Sequence, residues 1–116
     1  MTVKSAGIAA AEALPLEHLI TPTAGGIASR VLAKTGGGNV TLFAFDRGEG
    51  LSEHTAPLDA LVIVLDGALS LTIGGTVVTA GPGTIVRMPA NVPHALDATT
   101  PVRMLLVMLK DPPPAR

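Results

Sequence analysis

The chain has 116 residues, a length typical of one domain, and its eight Lys and Arg against nine Asp and Glu give a net charge of -1. A charge that small supplies no basic field for nucleic acid or anionic lipid, so neither is expected as a partner. Cysteine is absent, which excludes disulfides, thiolate metal sites and thiol nucleophiles.

The composition is unusually apolar for one small domain. Hydrophobic residues make up 47% of the chain and charged residues only 15%, whereas charged residues usually make up about 25%. A domain of this kind exposes large apolar patches unless a partner covers them, so we expect a homo-oligomer, most simply a homodimer. No apolar run approaches the roughly 20 residues that span a membrane. We therefore expect no membrane partner and a cytoplasmic location.

The composition divides the chain into three parts. Residues 1–28 are predicted to be a partly irregular N-terminal extension, whose Ala-rich start can form about one or two helical turns. Residues 29–110 carry the turn signals of a β protein. Residues 111–116 are a Pro-rich C-terminal tail, for which we expect an extended conformation.

Glycine-rich turn signals divide the central part into short strands, and the spacing predicts about eight or nine of them in a sandwich or barrel. The signals are residues 36–38, Asp66-Gly67, Gly74-Gly75 and residues 81–83. Two predicted strands, 61–65 and 104–109, are apolar on both faces. One face can fill a barrel, and the other needs a second layer or a subunit partner. Phe43 and Phe45, the only aromatic residues, share one face of a strand and are expected in the core or at a dimer contact.

Two of the three histidines occupy positions that suggest a site. His54 precedes the predicted strand that ends before Gly67, and His94 follows a stretch that begins at Gly83 and contains Pro89. This pattern resembles the cupin superfamily, whose first motif contains histidines, a glutamate and a closing glycine, and whose second contains a glycine, a proline and a histidine. The resemblance to a small single-domain cupin covers the predicted strands. It implies an all-β, double-stranded β-helix (jelly-roll) barrel with a short N-terminal extension.

The second cupin motif is largely kept, whereas the first is degenerate. Only His54 and Gly67 match the first motif, since the position of its glutamate holds Ala60 and that of its second histidine holds Ala56. A metal-binding cupin uses several histidines together with a carboxylate or a further histidine. Of such a set, only His54 and His94 remain by position.

The resemblance implies small-molecule binding inside the barrel, with His54 and His94 facing each other across it. In one version of this site a mononuclear divalent metal of unknown identity is held by the two imidazoles, with water or Asp59 as a third ligand. Such sites in metal-containing relatives support oxygenation or isomerisation of small acids. In the alternative, both imidazoles line an apolar cavity and bind a small ligand or each other. The protein would then be a non-catalytic ligand sensor or a partner-binding module with a degenerate metal site.

Four further side chains are candidates for the lining of the cavity. Arg87 lies in an apolar stretch and could anchor a carboxylate or phosphate if it points inward; otherwise it reaches the surface or pairs at a subunit interface. Met88, Met104 and Met108 can project into the barrel. A thioether is a poor ligand for zinc or ferrous iron but an acceptable one for Cu(I).

Overall fold

Nine β-strands and one short 3-10 helix make up the regular structure of residues 7–111, the part of the chain that this computed structural model describes. The 3-10 helix spans Leu16–His18. The strands are β1 (Ile27–Thr35), β2 (Gly38–Phe45), β3 (Gly50–His54), β4 (Asp59–Asp66), β5 (Leu69–Ile73), β6 (Thr76–Ala80), β7 (Ile85–Met88), β8 (His94–Ala98) and β9 (Val102–Leu109). The predicted number of strands is confirmed. No helix in these residues is long and apolar enough to cross a membrane.

The strands form two antiparallel sheets, one of five strands in the order β1-β2-β9-β4-β7 and one of four in the order β3-β8-β5-β6. Between β2 and β5, and again between β6 and β9, each successive strand lies in the opposite sheet. Apart from the hairpins β1-β2 and β5-β6, the paired strands are therefore not consecutive in the chain, which is the arrangement of a jelly roll. The prediction of an all-β jelly-roll barrel is confirmed. Strand β3, which ends at His54, is an edge strand of the four-stranded sheet.

The main core lies between the two sheets and follows from the alternation of side chains along each strand. In β4, Ala60, Val62 and Val64 are buried, whereas Leu61 and Ile63 point to the outer face of the five-stranded sheet. The buried members of the core are Phe45, Ala60, Val62, Val64, Leu69, Leu71, Ala80, Met88, Leu96, Ala98, Val102 and Met104. The core thus includes one of the two aromatic side chains, and Phe43 packs against it from the same face of β2.

The N-terminal extension covers part of the outer face of the five-stranded sheet. Guanidinium groups of Arg30 and Arg103 donate hydrogen bonds to backbone carbonyls of this segment, at 3.1 and 3.2 Å. A second, smaller buried cluster lies beneath it, formed by Ile20, Leu32, Leu42 and Ala44. The helical turns predicted for the Ala-rich start are wrong for residues 7–14, which contain one bend and one turn and are otherwise irregular. Strand β1 begins at Ile27, inside the predicted extension, and the predicted tail beyond Asp111 lies outside the described residues.

Another part of this outer face is apolar and uncovered in a single chain. Leu61, Ile63 and Val107 are half-buried there, and the neighbouring Ile85 of β7 is 59% exposed. These four side chains belong to adjacent strands and share one face, because β4 pairs with both β7 and β9. The apolar second face predicted for the strands around 61–65 and 104–109 is therefore present.

Candidate functional site

A small cavity of about 110 Å³ lies between the sheets at the end where β3, β4, β7, β8 and β9 meet. Its lining residues are Leu51, His54, Ala56, Leu58, Ala60, Met88, His94, Leu96, Leu106 and Met108. Both candidate histidines are in this set, and the other side chains in it are aliphatic or thioether. No charged side chain lines the described cavity, so any polar recognition inside it depends on the two imidazoles.

The two imidazoles are neighbours on one sheet. His54 and His94 are directly paired residues of β3 and β8, and their ring centroids are 4.4 Å apart with an interplanar angle of 69°. The expectation that they face each other across the barrel is therefore wrong. The cause is the register of β3 on β8, which shifts between Leu51 and His54 and brings the two histidines opposite each other.

Both rings are oriented by a backbone carbonyl two residues earlier. Nδ1 of His54 lies 2.8 Å from the carbonyl oxygen of Ser52, and Nδ1 of His94 lies 3.1 Å from that of Val92. Because a carbonyl can only accept, these contacts assign the proton of each neutral imidazole to Nδ1. Each Nε2 then keeps its lone pair. The pair therefore presents two acceptors, or two metal-ligating nitrogens, on adjacent strands.

The two histidines differ in their exposure. His94 is only 5% exposed, whereas His54 is an exposed residue. Both line the cavity, so His94 lies in its interior and His54 at its opening to solvent. A ligand can therefore reach the buried imidazole by passing the exposed one.

Asp59 is engaged elsewhere. One carboxylate oxygen accepts a hydrogen bond from the backbone N–H of Ala90 at 2.8 Å, and the other accepts from Nη2 of Arg87 at 3.0 Å. The Ala90 N–H and then the Arg87 guanidinium lower the pKa of this carboxyl below its ordinary value, so it remains ionised and paired. The structure does not bring Asp59 to the histidines as a third ligand. Among residues 7–111, no three His, Cys, Asp or Glu side chains are placed to hold a metal ion together.

Arg87 also lies outside the cavity, and the prediction that it contributes to the lining is wrong. In the pairing of β7 with β4, Arg87 stands opposite Leu61, whose side chain points to the outer face of the sheet. The Arg87 side chain is accordingly 63% exposed. Its role in the described structure is the surface ion pair with Asp59.

The three candidate methionines separate into two groups. Met88 and Met108 line the cavity. Met104 does not: it is fully buried in the core, paired with Phe43 of β2 and Val64 of β4. Met104 and Met108 share the inward face of β9, but only Met108 lies at the end of the strand that reaches the cavity.

The sequence does not identify most of the aliphatic residues that line the cavity, but the cupin motif points to the positions of two of them. Ala56 and Ala60 occupy the positions at which the cupin motif places a histidine and a glutamate, and both line the cavity. Their small side chains leave open the space that ligating groups would fill. Nothing in the sequence distinguishes Leu51, Leu96 and Leu106 from the other leucines of the barrel.

The donor set does not fit the divalent ion that the family implies. Two imidazoles are present, but the glutamate position is Ala60 and the candidate carboxylate, Asp59, is paired with Arg87. Divalent ions are usually held by three or more protein groups, among which carboxylates offset part of the charge. We therefore derive no catalytic step through a divalent metal at this site.

Comparisons with known proteins support the cupin-like barrel fold described above. A family model described as a cupin domain matches residues 41–108. The structure is similar to that of a conserved protein of unknown function from Streptococcus pyogenes, with 31% identity, a TM-score of 0.87 and coverage of 96% of this chain and 99% of that one. It is also similar to a cupin superfamily protein from Desulfitobacterium hafniense, with 27% identity, a TM-score of 0.84 and coverage of 94% and 100%. A cupin 2 conserved barrel domain protein from Leptotrichia buccalis is 35% identical over 81% of this chain and 46% of its own, with a TM-score of 0.77. No curated protein matches the chain.

Proposed function

Because this chain belongs to the cupin domain family, we propose that it binds a small molecule in the cavity beside His54 and His94. The region matched by the family contains both histidines and every other residue that lines the cavity. Pockets in small β-barrels are preferred ligand sites, and this one combines an apolar wall with a few convergent polar groups. The proposal concerns binding and assigns no reaction to the site.

The observation that carries this proposal is the pair of oriented imidazoles in an otherwise apolar cavity. Each Nδ1 donates a hydrogen bond to a backbone carbonyl. Each Nε2 is therefore free to accept a hydrogen bond from the O–H or N–H group of a ligand. At the buried His94, where the surroundings have a low dielectric, such a hydrogen bond is stronger than in water. The site therefore selects ligands that have a donor group on an apolar body.

Size and charge narrow the ligand class further. An apolar cavity of roughly 150 Å³ can hold benzene, so a cavity of about 110 Å³ accommodates a ligand of only a few non-hydrogen atoms. A larger ligand would extend past His54 into solvent. The described lining offers no cation to offset an anionic group, which favours neutral alcohols, phenols and amides over small acids. The lack of a carboxylate in the described lining favours a non-catalytic sensor over an oxygenase or isomerase that depends on a divalent metal.

We expect a donor-bearing small molecule to raise the unfolding temperature of tag-free, chelator-treated protein, and we expect His94→Ala to abolish the rise. A ligand at about 100 times its Kd stabilises the folded state by about 2.7 kcal/mol, which raises Tm by several degrees in a domain of this size. The measurement is thermal unfolding against a panel of small alcohols, phenols, amides and carboxylic acids. His54→Ala should weaken the response as well.

The control for this experiment is His18→Ala, because His18 is an exposed histidine in the N-terminal extension and does not line the cavity. It should respond to the ligand as the wild type does. If His94→Ala is stabilised as strongly as the wild type, or if only anions without a donor group stabilise the protein, the proposed mode of binding is wrong.

We also propose that a second copy of the chain covers the apolar outer face of the five-stranded sheet, giving a homodimer. The expected solution mass is twice the chain mass of 11.7 kDa. Ile85→Glu should shift the protein to monomer, because it places a charge among Leu61, Ile63 and Val107. Light scattering during size-exclusion chromatography measures this mass. The control is Val77→Glu, since Val77 is 66% exposed on β6 of the other sheet; a monomeric wild type, or an unaffected Ile85→Glu, would contradict the proposal.

A further inference from the structure

Two thioethers line the same cavity as the imidazoles, and binding of an organic donor makes no use of their chemistry. Ala60 of β4 is paired with Met88 of β7 on one side and with Met108 of β9 on the other. Directly paired residues in antiparallel strands share a face, so both methionines lie on the inward face and flank Ala60. Neighbouring strands are only about 4.8 Å apart. The methyl group of Ala60 leaves the space between the two longer side chains open.

The four groups that the sheets bring together form a soft, uncharged donor set. His54 and His94 contribute imidazole nitrogen, and Met88 and Met108 contribute sulfur. The described lining contains no carboxylate and no hydroxyl, which are the donors that magnesium, calcium and manganese prefer. Thioethers select Cu(I), whose single charge also costs less to bring into an apolar cavity than the double charge of zinc or iron(II).

The orientation of the histidines supports a metal-ligating role. Histidines that bind metals usually donate their second ring N–H to a backbone carbonyl, a carboxylate or water, which fixes the ring and leaves the other nitrogen for the ion. Both rings have this arrangement, through Ser52 and Val92. The exposed position of His54 also gives an ion a route from solvent to the buried His94.

From this arrangement we infer that the cavity binds one Cu(I) ion through Nε2 of His54, Nε2 of His94 and the thioether of Met88, Met108 or both. This inference shares with the proposed function the premise that the cavity is a binding site, and it depends on the proposed function in no other way. The ion is bound as Cu(I), and no redox step is involved. The site differs from the divalent set implied by the family because sulfur flanks the position where that set has a carboxylate.

The test is an anaerobic titration of tag-free protein with Cu(I) in competition with a chromophoric Cu(I) chelator. We expect one Cu(I) per chain, no binding in His94→Ala, and weaker binding in the double variant Met88→Leu/Met108→Leu. The loss in the double variant should be about tenfold or more, since removal of a group that merely orients a ligand already costs 10- to 100-fold. X-ray absorption of the copper complex should show both nitrogen and sulfur neighbours.

The matched control is Met104→Leu, because Met104 is on the same face of β9 but is buried in the core away from the cavity. Leucine has a volume close to that of methionine, so all three positions should tolerate the change. Met104→Leu should bind Cu(I) as the wild type does, and Zn(II) should bind the wild type more weakly than Cu(I). Any one of three results would overturn the inference. The wild type fails to retain Cu(I) against the chelator, the double variant binds Cu(I) with wild-type affinity, or His94→Ala binds Cu(I) as the wild type does.

The experiment separates this inference from the proposed function. Stabilisation by organic donors is measured in chelator-treated protein, whereas the titration uses copper without any organic ligand. If organic donors stabilise the protein but Cu(I) is not retained, the inference is overturned and the proposed function stands. If Cu(I) binds with the expected variant pattern and no organic donor stabilises the protein, the inference is supported and the proposed function is wrong.

Discussion

An alanine in place of Phe45 is expected to lower the free energy of unfolding by about 3–5 kcal/mol. Phe45 is the largest of the fully buried side chains and is only 1% exposed, in the core between the two sheets. Its removal forfeits the burial of a ring and leaves a cavity that the surrounding strands cannot fill. Domains of this kind are stable by about 5–15 kcal/mol, so the variant should be close to the limit of folding.

Urea denaturation followed by far-ultraviolet circular dichroism measures this loss, and the control is Phe43→Ala. Phe43 stacks on Phe45 with ring centroids 5.7 Å apart, but it is only partly buried. Its truncation should therefore cost clearly less. Equal losses in the two variants, or a loss at Phe45 below about 1 kcal/mol, the average for point mutations, would show that Phe45 does not carry the packing assigned to it.

Gly67→Ala is expected to cost about 3 kcal/mol or more, because two separate penalties coincide there. The φ of Gly67 is +86°, in the left-handed region that favours glycine. A Cβ at this residue would also lie 2.1 Å from the carbonyl oxygen of Pro101 and 2.9 Å from Cα of Val102. Both neighbours are backbone atoms, so relief of the contact requires a shift of the turn between β8 and β9.

Gly75→Ala is a close control for this substitution. Gly75 has nearly the same φ, +85°, but an added Cβ would meet nothing within 4 Å. It should therefore show only the cost of the backbone conformation, about 1 kcal/mol. The difference between the two variants in urea denaturation isolates the steric contact. Losses of the same size would mean that the turn moves away freely and that backbone conformation alone explains the requirement for glycine.

The barrel itself could be predicted because its signals are local. Each of the four predicted turns lies between consecutive strands, and Gly67 and Gly75 have the positive φ that makes glycine preferable in such turns. Alternation along β4 likewise placed one apolar face inside and left a second face outside. These features depend on the conformations of neighbouring residues and not on which distant strands become partners.

The arrangement of the site depends on long-range register, which spacing along the chain does not determine. His54 and His94 lie next to each other only because β3 pairs with β8 and the register shifts before His54. The face of Arg87 depends on how β7 is aligned with β4. The alternation of side chains along β9 correctly places Met104 and Met108 on the inward face. It does not determine which of the two lies near the cavity. The sequence therefore identifies the two histidines and three candidate methionines, but not which of the methionines line the cavity with them.

The edge position of β3 gives the two halves of the site different local stabilities. Among the described strands, β3 is hydrogen-bonded to β8 alone, whereas β8 is held between β3 and β5. Short strands with one neighbour can open without global unfolding, so β3 and His54 can detach while His94 stays in place. The buried half of the site is thus the more firmly held, and a ligand that contacts both histidines is expected to reduce the opening of β3. Slower amide hydrogen exchange in β3, with little change in β5, would then be the dynamic signature of occupancy.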